Sequence, residues 1–191
     1  MPTVSPRAAA KERTREALLD TGFELAETTG LDGLSVNAVT AAAGVAKGTF
    51  FHHFGDRTSY VIALHRRFHD RILDDVQKAV AGLPSGRERL TAMATTYLDA
   101  CLQHRGVRAL ILEARALPPI QAEIIRRNDA TVALLTTDFV ALGWRAPATA
   151  ARLWVGACVE CAILELESGH ADAQARTTLV AFATAAGEPS S

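Results

Sequence analysis

Apolar residues recur at helical spacing along most of the chain. In the first such segment, residues 8–28, Leu19, Phe23 and Ala26 stand at i, i+4 and i+7, which marks one face of a helix. Gly30 is predicted to end this helix. The same periodicity, with its glycine and proline breaks, predicts further helices at residues 57–81, 107–117, 120–142, 147–168 and 171–186, and one more carrying Leu90, Ala94, Tyr97 and Cys101. No stretch alternates as a strand does, so the sequence predicts an all-α fold.

A pair of shorter helices is predicted around Gly44, between the first two long ones. Ser35 can cap the first short helix by accepting a hydrogen bond from the backbone N–H of Ala38. Gly44 has no Cβ and can take the left-handed conformation that closes a helix. The second short helix then begins near Ala46. An apolar stripe along the first is formed by Val36, Val39 and Ala43.

The second short helix sorts its residues onto two faces. At about 100° per residue, Phe54 shares a face with Phe50, so these two rings are predicted to anchor the helix. A helix of this kind fits the major groove of B-DNA, where hydroxyl, imidazole and ammonium groups can contact base edges and phosphates. The alternative is one of the apolar–glycine–apolar corners that are common in all-α proteins. The residues at the opposite face or its flank are Lys47, Gly48, Thr49, Phe51 and His52.

One ordered pattern runs through Leu18–Leu19–Asp20, Phe23–Glu24–Leu25, Gly30, Leu34–Ser35–Val36, Val39, Ala43–Gly44–Val45, Lys47–Phe54 and Arg57. In order and spacing it resembles the DNA-binding domain of the tetracycline-repressor (TetR) family of bacterial transcription regulators. The resemblance implies that Arg57 holds a DNA phosphate. It further implies a DNA-facing set made of Lys47, Gly48, Thr49, Phe51 and His52.

Three positions differ from the usual pattern of that family. Ala46 stands where Ser or Thr is common, Phe51 where a Tyr usually hydrogen-bonds a phosphate, and Asn37 where a basic residue is frequent. Asn37 is included among the predicted DNA-contacting residues. The differences remove contacts that position the DNA backbone, and they leave the residues that build the fold in place.

The resemblance also implies how the whole chain is organised. Residues 1–57 are expected to form an N-terminal arm and a three-helix helix-turn-helix domain, and residues 58–187 a larger helical domain for effector binding and dimerisation. Residues 188–191 are expected to be a disordered tail. Helix 57–81 is the connection through which ligand state reaches the recognition helices. The expected function is a ligand-responsive regulator, most often a repressor, that binds a pseudo-palindromic operator as a homodimer and is released by a small molecule.

The homodimer expectation has support in the residues themselves. Helix 147–168 carries more apolar surface than one packing face requires, since Trp154, Val155, Val159 and Ile163 spread around it. A two-fold four-helix bundle made with helix 171–186 and the symmetry mates would bury that surface, and the resemblance implies this arrangement. The alternative is a large monomeric core.

The effector implied by the resemblance is small and largely apolar, and its candidate contacts are inferred from helix faces. Glu160 is the most informative of them, because an ionised carboxylate on a buried surface is costly unless paired. It suggests either a ligand with a donor or a partner in the second subunit. Each of the others can instead be a core, interface or exposed residue. The candidate set is Tyr97, Cys101, Asn128, Trp154 and Glu160.

Composition and charge narrow the class of protein. The 191 residues are 49% hydrophobic and 21% charged, with a formal net charge of −1, which is ordinary for a globular protein and excludes a wholly basic coat for nucleic acid. A local excess matters more for specific binding. The N-terminal arm before the short helices carries four cations against one acid, Glu12. This arm is therefore predicted to approach the DNA backbone, and the alternative is a solvated tail. The cations are Arg7, Lys11, Arg13 and Arg15.

Other chemistry is weakly indicated. Cys158 and Cys161 are spaced as CxxC without a second pair, and they are expected to be core thiols rather than a metal or redox site. His65 and His69 lie one turn apart without a third ligand, so a solvated or partner-facing pair is favoured over a metal site. No cofactor or metal is expected, and no nucleophile motif indicates an enzyme. The remaining alternative is a constitutive DNA-binding or protein-interaction module.

The location of the protein is predicted from its apolar runs. The run from Leu153 to Leu164 is shorter than the ~20 residues that a span needs, and Glu160 interrupts it. The first residues lack the apolar core of a signal peptide. A cytoplasmic protein is therefore expected, with no membrane partner and with its cysteines as reduced thiols.

Overall fold

The computed structural model describes residues 5–185, without the side chains of residues 30–32. Within that part of the chain, helices are the only regular secondary structure, which confirms the all-α prediction. The predicted tail at residues 188–191 lies outside the described residues. The helices are α1 (Pro6–Gly33), α2 (Val36–Ala42), α3 (Lys47–Phe54), α4 (Arg57–Ala79), α5 (Arg87–Gln103), α6 (Arg105–Ala114), α7 (Pro118–Ala141), α8 (Pro147–Ser168) and α9 (Ala173–Thr184).

Several helix ends differ from the prediction. The prediction that Gly30 ends the first helix is wrong, because α1 continues to Gly33. A glycine inside a helix weakens it by about 1 kcal/mol but does not by itself stop it. Helix α7 begins at Pro118 itself, since proline is tolerated in a first turn. Helix α9 begins after Asp172, whose carboxylate accepts hydrogen bonds from two backbone N–H groups of the first turn, at 2.9 Å each.

The chain divides into two compact units, and the division runs through α4. The N-terminal unit comprises Met1–Phe68 and Gly106–Gln121, and the C-terminal unit His69–Arg105 and Ala122–Ser191. The predicted domains, residues 1–57 and 58–187, remain predictions. Much of the N-terminal core comes from α1, α3, α4 and α6: Leu18, Leu19, Phe23, Phe50, Tyr60, Leu64, Phe68, Val107, Leu110 and Ile111.

Two glycines let main chain and side chains come very close to α1. The phenol of Tyr60 donates a hydrogen bond to the carbonyl of Leu18 at 2.7 Å, and its oxygen lies only 2.0 Å from where a Cβ on Gly22 would stand. At the beginning of α6, a Cβ on Gly106 would lie 2.3 Å from the carbonyl oxygen of Ala26 and 2.3 Å from the Cα of Glu27. The N–H of Gly106 donates to the Glu27 carboxylate at 2.9 Å. Helix α6 therefore begins directly against the backbone of α1.

In the C-terminal unit, α5, α8 and α9 pack against one another. Trp154 of α8 is 5% exposed, and its indole N–H donates to the carbonyl of Leu179 at 3.3 Å. Its ring lies edge-on to Phe139, with 6.2 Å between ring centroids. Within residues 5–185, no helix is long and apolar enough to cross a membrane.

Among the described residues of this unit, three carboxylates are buried, and each is held by the same edge of an arginine. Arg89 donates from Nε and Nη2 to the two carboxylate oxygens of Asp138, at 2.7 and 2.6 Å. Arg176 binds Glu165 in the same way, at 2.6 and 2.9 Å. The third pair, Arg126 with Glu123, repeats the arrangement. Two parallel N–H groups facing two oxygens form the strongest arginine–carboxylate contact.

Helix α8 also has an apolar face that its own chain leaves uncovered. Leu153 is 70% exposed and Leu164 is 44% exposed, and they lie on one stripe with Gly156 and Glu160, which are also exposed. On α9, Phe182 is 64% exposed. The prediction of apolar surface around α8 is therefore confirmed, with one face in the core and one toward solvent.

Candidate nucleic-acid interface

Helix α2 is formed as its sequence predicts. The Ser35 hydroxyl accepts a hydrogen bond from the N–H of Ala38 at 3.1 Å, and Gly44 has a φ of 66°. The N–H of Val45 donates to the carbonyl of Thr40 at 3.0 Å, a bond typical of the glycine-closed helix end. Thr40, which the sequence analysis did not single out, is buried, and its hydroxyl donates to the carbonyl of Val36 at 2.8 Å. The turn after α2 is therefore held by the left-handed Gly44 and by the hydrogen bond from Val45 to Thr40.

Helix α3 is held by an aromatic cluster. Phe50 is 1% exposed, and its ring lies 5.3 Å from Phe54 and 4.9 Å from Tyr60, measured between centroids. The predicted anchoring by Phe50 and Phe54 is confirmed. Tyr60 begins the buried face of α4, so the cluster sets the position of α3 relative to the next helix. The outward residues of α3 are free of that packing role.

The outward face of α3 carries the residues that the sequence predicted for it. Lys47, Gly48 and His52 are exposed, and Phe51 is 48% exposed. Thr49 is half-buried, so it projects from the helix less than the others. A Cβ on Gly48 would meet no atom within 4 Å. Nothing in the chain's own packing therefore requires a glycine there. A small residue at this place allows another backbone to approach closely.

The two predicted contacts outside α3 differ in their surroundings. Asn37 on α2 is exposed. Arg57 is half-buried, and its Nε donates to the carbonyl of Leu34 at 3.0 Å. Arg57 thus ties the beginning of α4 to the residue before α2, an internal role that the sequence analysis missed because the two positions are far apart in the chain.

The basic part of α1 lies near the end of α3. Burial lowers the pKa of His53, and the positive charges of His52, Lys11 and Arg15 lower it further. The guanidinium of Arg15 stands 5.4 Å from the centre of the Phe54 ring and is paired with Glu12 and Glu16, so this arginine has a structural role. The other cations of the predicted arm, Arg7, Lys11 and Arg13, are exposed on α1.

Residues 18–64, which include all of this geometry from α1 to α4, match the family model described as bacterial regulatory proteins, tetR family. Residues 18–64 of this chain are therefore a tetR-family DNA-binding domain. The predicted family is confirmed, and so is its architecture of an N-terminal helix-turn-helix domain followed by a helical C-terminal part.

Two relatives of this chain are named as transcriptional repressors. HTH-type transcriptional repressor KstR2 of Rhodococcus jostii is 30% identical over 99 residues, which cover 52% of this chain and 48% of KstR2. HTH-type transcriptional repressor NemR of Escherichia coli is 30% identical over 95 residues, 48% of this chain and 46% of NemR. The match therefore spans about half the length of these curated relatives. Both are named as transcriptional repressors, which are not enzymes, as the sequence analysis predicted.

A solved structure extends the likeness in fold beyond the matched half. The transcriptional regulator from Rhodococcus sp. Rha1 is 24% identical and has a TM-score of 0.77, covering 88% of this chain and 92% of that one. At this identity the likeness shows the fold alone.

One of the three departures from the tetR pattern has a visible effect. Ala46 is the N-cap of α3, and because it has no hydroxyl it makes no side-chain capping bond.

The five predicted effector residues all lie in the C-terminal unit, but their surroundings differ. Tyr97 and Asn128 are half-buried, and Cys101 and Trp154 are buried. Glu160 is exposed on the uncovered stripe of α8, so within one chain its carboxylate needs no partner. The buried carboxylate of α8 is Glu165. Burial opposes its ionisation, but hydrogen bonds from Arg176 and from the backbone of Asp172 prevail and lower its pKa.

The three cysteines and His65 take core positions. Cys101, Cys158 and Cys161 are buried thiols that take part in no disulfide. Burial raises the pKa of Cys158, and the neighbouring Cys161 and Cys101 raise it further, so the thiol stays protonated. The expectation of a solvated or partner-facing histidine pair is wrong for His65, which is 1% exposed. Among residues 5–185, no group of three or more His, Cys, Asp or Glu side chains could hold a metal ion.

Proposed function

We propose that this protein regulates transcription as a ligand-responsive repressor that inserts α3 into the major groove of an operator duplex. The observation that carries the proposal is the division of α3 into two faces. Phe50 and Phe54 fix the helix to the core, while Lys47, Gly48 and His52 project from it without a packing role. Curated relatives named as repressors support the same function.

The outward face offers both kinds of DNA contact. Lys47, with the exposed cations of α1, suits phosphates, and Thr49 and His52 offer a hydroxyl and an imidazole to base edges. Phe51 can contact a thymine methyl or a sugar through its exposed ring. Asn37 and Arg57 are further proposed backbone contacts, but loss of Arg57 would also break its bond to the Leu34 carbonyl. Lys47 is therefore the cleaner test of phosphate contact.

A matched pair of variants separates positioning from base reading. Lys47→Ala is expected to weaken binding to every duplex by a similar factor and to reduce the salt dependence, because one phosphate contact and its released counterion are lost. His52→Ala is expected to cost ~1–3 kcal/mol more on the preferred operator than on random DNA. The measurement is fluorescence anisotropy on both duplexes over a series of salt concentrations. Equal losses on both duplexes from His52→Ala would leave only a non-specific binder.

A homodimer follows from the uncovered stripe of α8. Leu153, Gly156 and Leu164 form an apolar surface with Glu160 at its middle, and a second copy of the chain would cover it by two-fold symmetry. The exposure of Glu160 on this stripe supports the subunit interface rather than the effector pocket. Two α3 helices related by the dimer axis would reach operator half-sites about one helical turn, ~34 Å, apart.

The dimer is tested by a charge placed on the stripe. Leu153→Glu is expected to turn a dimer into a monomer and to weaken operator binding with it, because two carboxylates would meet at the symmetric interface. Light scattering after size-exclusion chromatography gives the mass. Leu117→Glu, at an apolar position that is 42% exposed in the N-terminal unit, is the control and should remain dimeric. A monomeric parent protein would contradict the proposal.

The effector is proposed to be a small, largely apolar molecule bound in the C-terminal unit. Tyr97 and Asn128 are half-buried candidates, whereas the Trp154 N–H is already bonded to a backbone carbonyl. A ligand releases the operator only if it binds the DNA-incompetent conformation more tightly, and the operator must then weaken the ligand equally. Ligands that stabilise the protein without changing operator affinity would leave the alternative, a constitutive DNA-binding module.

A further inference from the structure

Arg108 on α6 is a buried cation that has no counter-ion in the described residues. Its side chain is only 5% exposed, and its Nε and Nη2 are shielded from solvent without a hydrogen-bond partner. The buried polar side chains of the N-terminal unit, within the part of the chain that the structure describes, are Thr40, His65 and Arg108, none of which is a carboxylate. A buried guanidinium without an acceptor is costly, so an acceptor is missing.

The same chain shows how it satisfies buried charge elsewhere. Each buried carboxylate of the C-terminal unit receives both Nε and Nη2 from one arginine, as in Arg89 with Asp138 and Arg176 with Glu165. Arg108 presents the same two atoms, which are shielded from solvent and have no hydrogen-bond partner. The edge that Nε and Nη2 share matches the two oxygens of a carboxylate.

We propose that Arg108 binds the carboxylate of an apolar small molecule through Nε and Nη2. The ligand is inferred to be apolar because Ile111, which shares the face of α6 with Arg108 one turn further on, is only 2% exposed. The site belongs to the N-terminal unit, whereas the candidate effector residues belong to the C-terminal unit. It rests on the proposed function only for its effect on DNA binding.

The position of Arg108 connects the site to the DNA-binding helices. Gly106, two residues earlier, lies against the backbone of Ala26 and Glu27, and α1 in turn packs against α2. Arg108 is enclosed, so a ligand must displace groups around α6 as it enters. A displacement at this end of α6 meets the main chain of α1 without a flexible side chain between them. The bound acid is therefore expected to lower operator affinity.

Thermal unfolding without ligand tests whether Arg108 lacks a partner. Arg108→Met is expected to leave the melting temperature unchanged or to raise it, since a hydrophobic residue replaces an uncompensated buried charge. Arg89→Met is the matched control and should lower it clearly, because Asp138 would remain buried and ionised with its arginine gone. A drop for Arg108→Met as large as for Arg89→Met would show that the protein itself pairs Arg108, and would overturn the proposal.

Ligand binding is tested with acids and their neutral amides. Hexanoate, octanoate and phenylbutanoate are measured by titration calorimetry against hexanamide, octanamide and phenylbutanamide. At least one acid should bind the parent protein, its amide should bind about tenfold more weakly or worse, and Arg108→Met should abolish the difference. Equal binding of acid and amide, no binding by any acid, or an acid preference that persists in Arg108→Met would each overturn the site.

The two proposals fail in different ways. If the acids bind through Arg108 and the parent protein binds no operator duplex, the site stands and the proposed transcriptional function fails. If the protein binds an operator and the acids show no dependence on Arg108, the function stands and the site fails. The acid bound to the parent protein should weaken operator binding, and the operator should weaken acid binding by the same factor.

Discussion

Phe50→Ala is expected to lower the free energy of unfolding by ~3–5 kcal/mol and to lose operator binding with it. The ring is 1% exposed and lies at the centre of the cluster with Phe54 and Tyr60. Its removal leaves a cavity under α3, where an eight-residue helix has little other support. Chemical denaturation gives the stability, and anisotropy on an operator duplex gives the binding.

Phe51→Ala is the control for this prediction because it removes the same atoms from the neighbouring position. Phe51 is 48% exposed, so its loss should change the free energy of unfolding little while weakening operator binding. The two variants therefore separate folding of the motif from contact with DNA. If Phe51→Ala unfolded the protein as readily as Phe50→Ala, the assignment of the two faces of α3 would be wrong.

Arg176→Met is expected to destabilise the C-terminal unit by about 3–5 kcal/mol, the usual cost of leaving one member of a buried ion pair alone. Arg176, which lies on α9, joins three helices. It donates two hydrogen bonds to Glu165 of α8 and one to Asp99 of α5, the last at 2.6 Å. Glu165 is fully buried, so water cannot solvate its carboxylate once the arginine is gone. The pair also raises the pKa of Arg176, mainly through the hydrogen bonds with Glu165.

The sign of the pH dependence follows from Glu165. Its pKa is lowered in the folded protein, so the pair stabilises the fold above the ordinary carboxyl pKa and loses this effect as the pH falls through the lowered value. The difference in stability between Arg176→Met and the parent should therefore shrink in acid. Arg152→Met, which breaks an exposed pair with Asp129, should change the melting temperature little at any pH. A constant difference for Arg176→Met down to strongly acid pH would contradict the assigned charge of Glu165.

The parts that the sequence predicted well are those whose signal is local. The cap at Ser35, the turn at Gly44 and the two faces of α3 each depend on residues within one or two helical turns, and angular position along the helix decides which ring is buried. The predicted helix ends were less accurate. Gly30 lowers helix stability but does not by itself stop a helix, and α1 continues to Gly33.

The parts that the sequence did not predict depend on residues far apart in the chain. Arg57 with the Leu34 carbonyl and Arg89 with Asp138 are pairs of this kind, and no spacing rule connects them. Helix α8 shows the difficulty most clearly. Because its apolar residues surround it, periodicity cannot decide which glutamate faces the core of its own chain, and the structure places Glu165 there and Glu160 at the surface.

The contact between Tyr60 and Gly22 makes the two positions dependent on each other in evolution and in engineering. The phenol oxygen occupies the space where a side chain at residue 22 would begin, and it also satisfies the carbonyl of Leu18. An alanine at residue 22 alone would collide with the hydroxyl, and a phenylalanine at residue 60 alone would leave that carbonyl without its donor. Homologous chains should therefore change these two positions together, so that a residue larger than glycine at 22 accompanies a residue without the hydroxyl at 60.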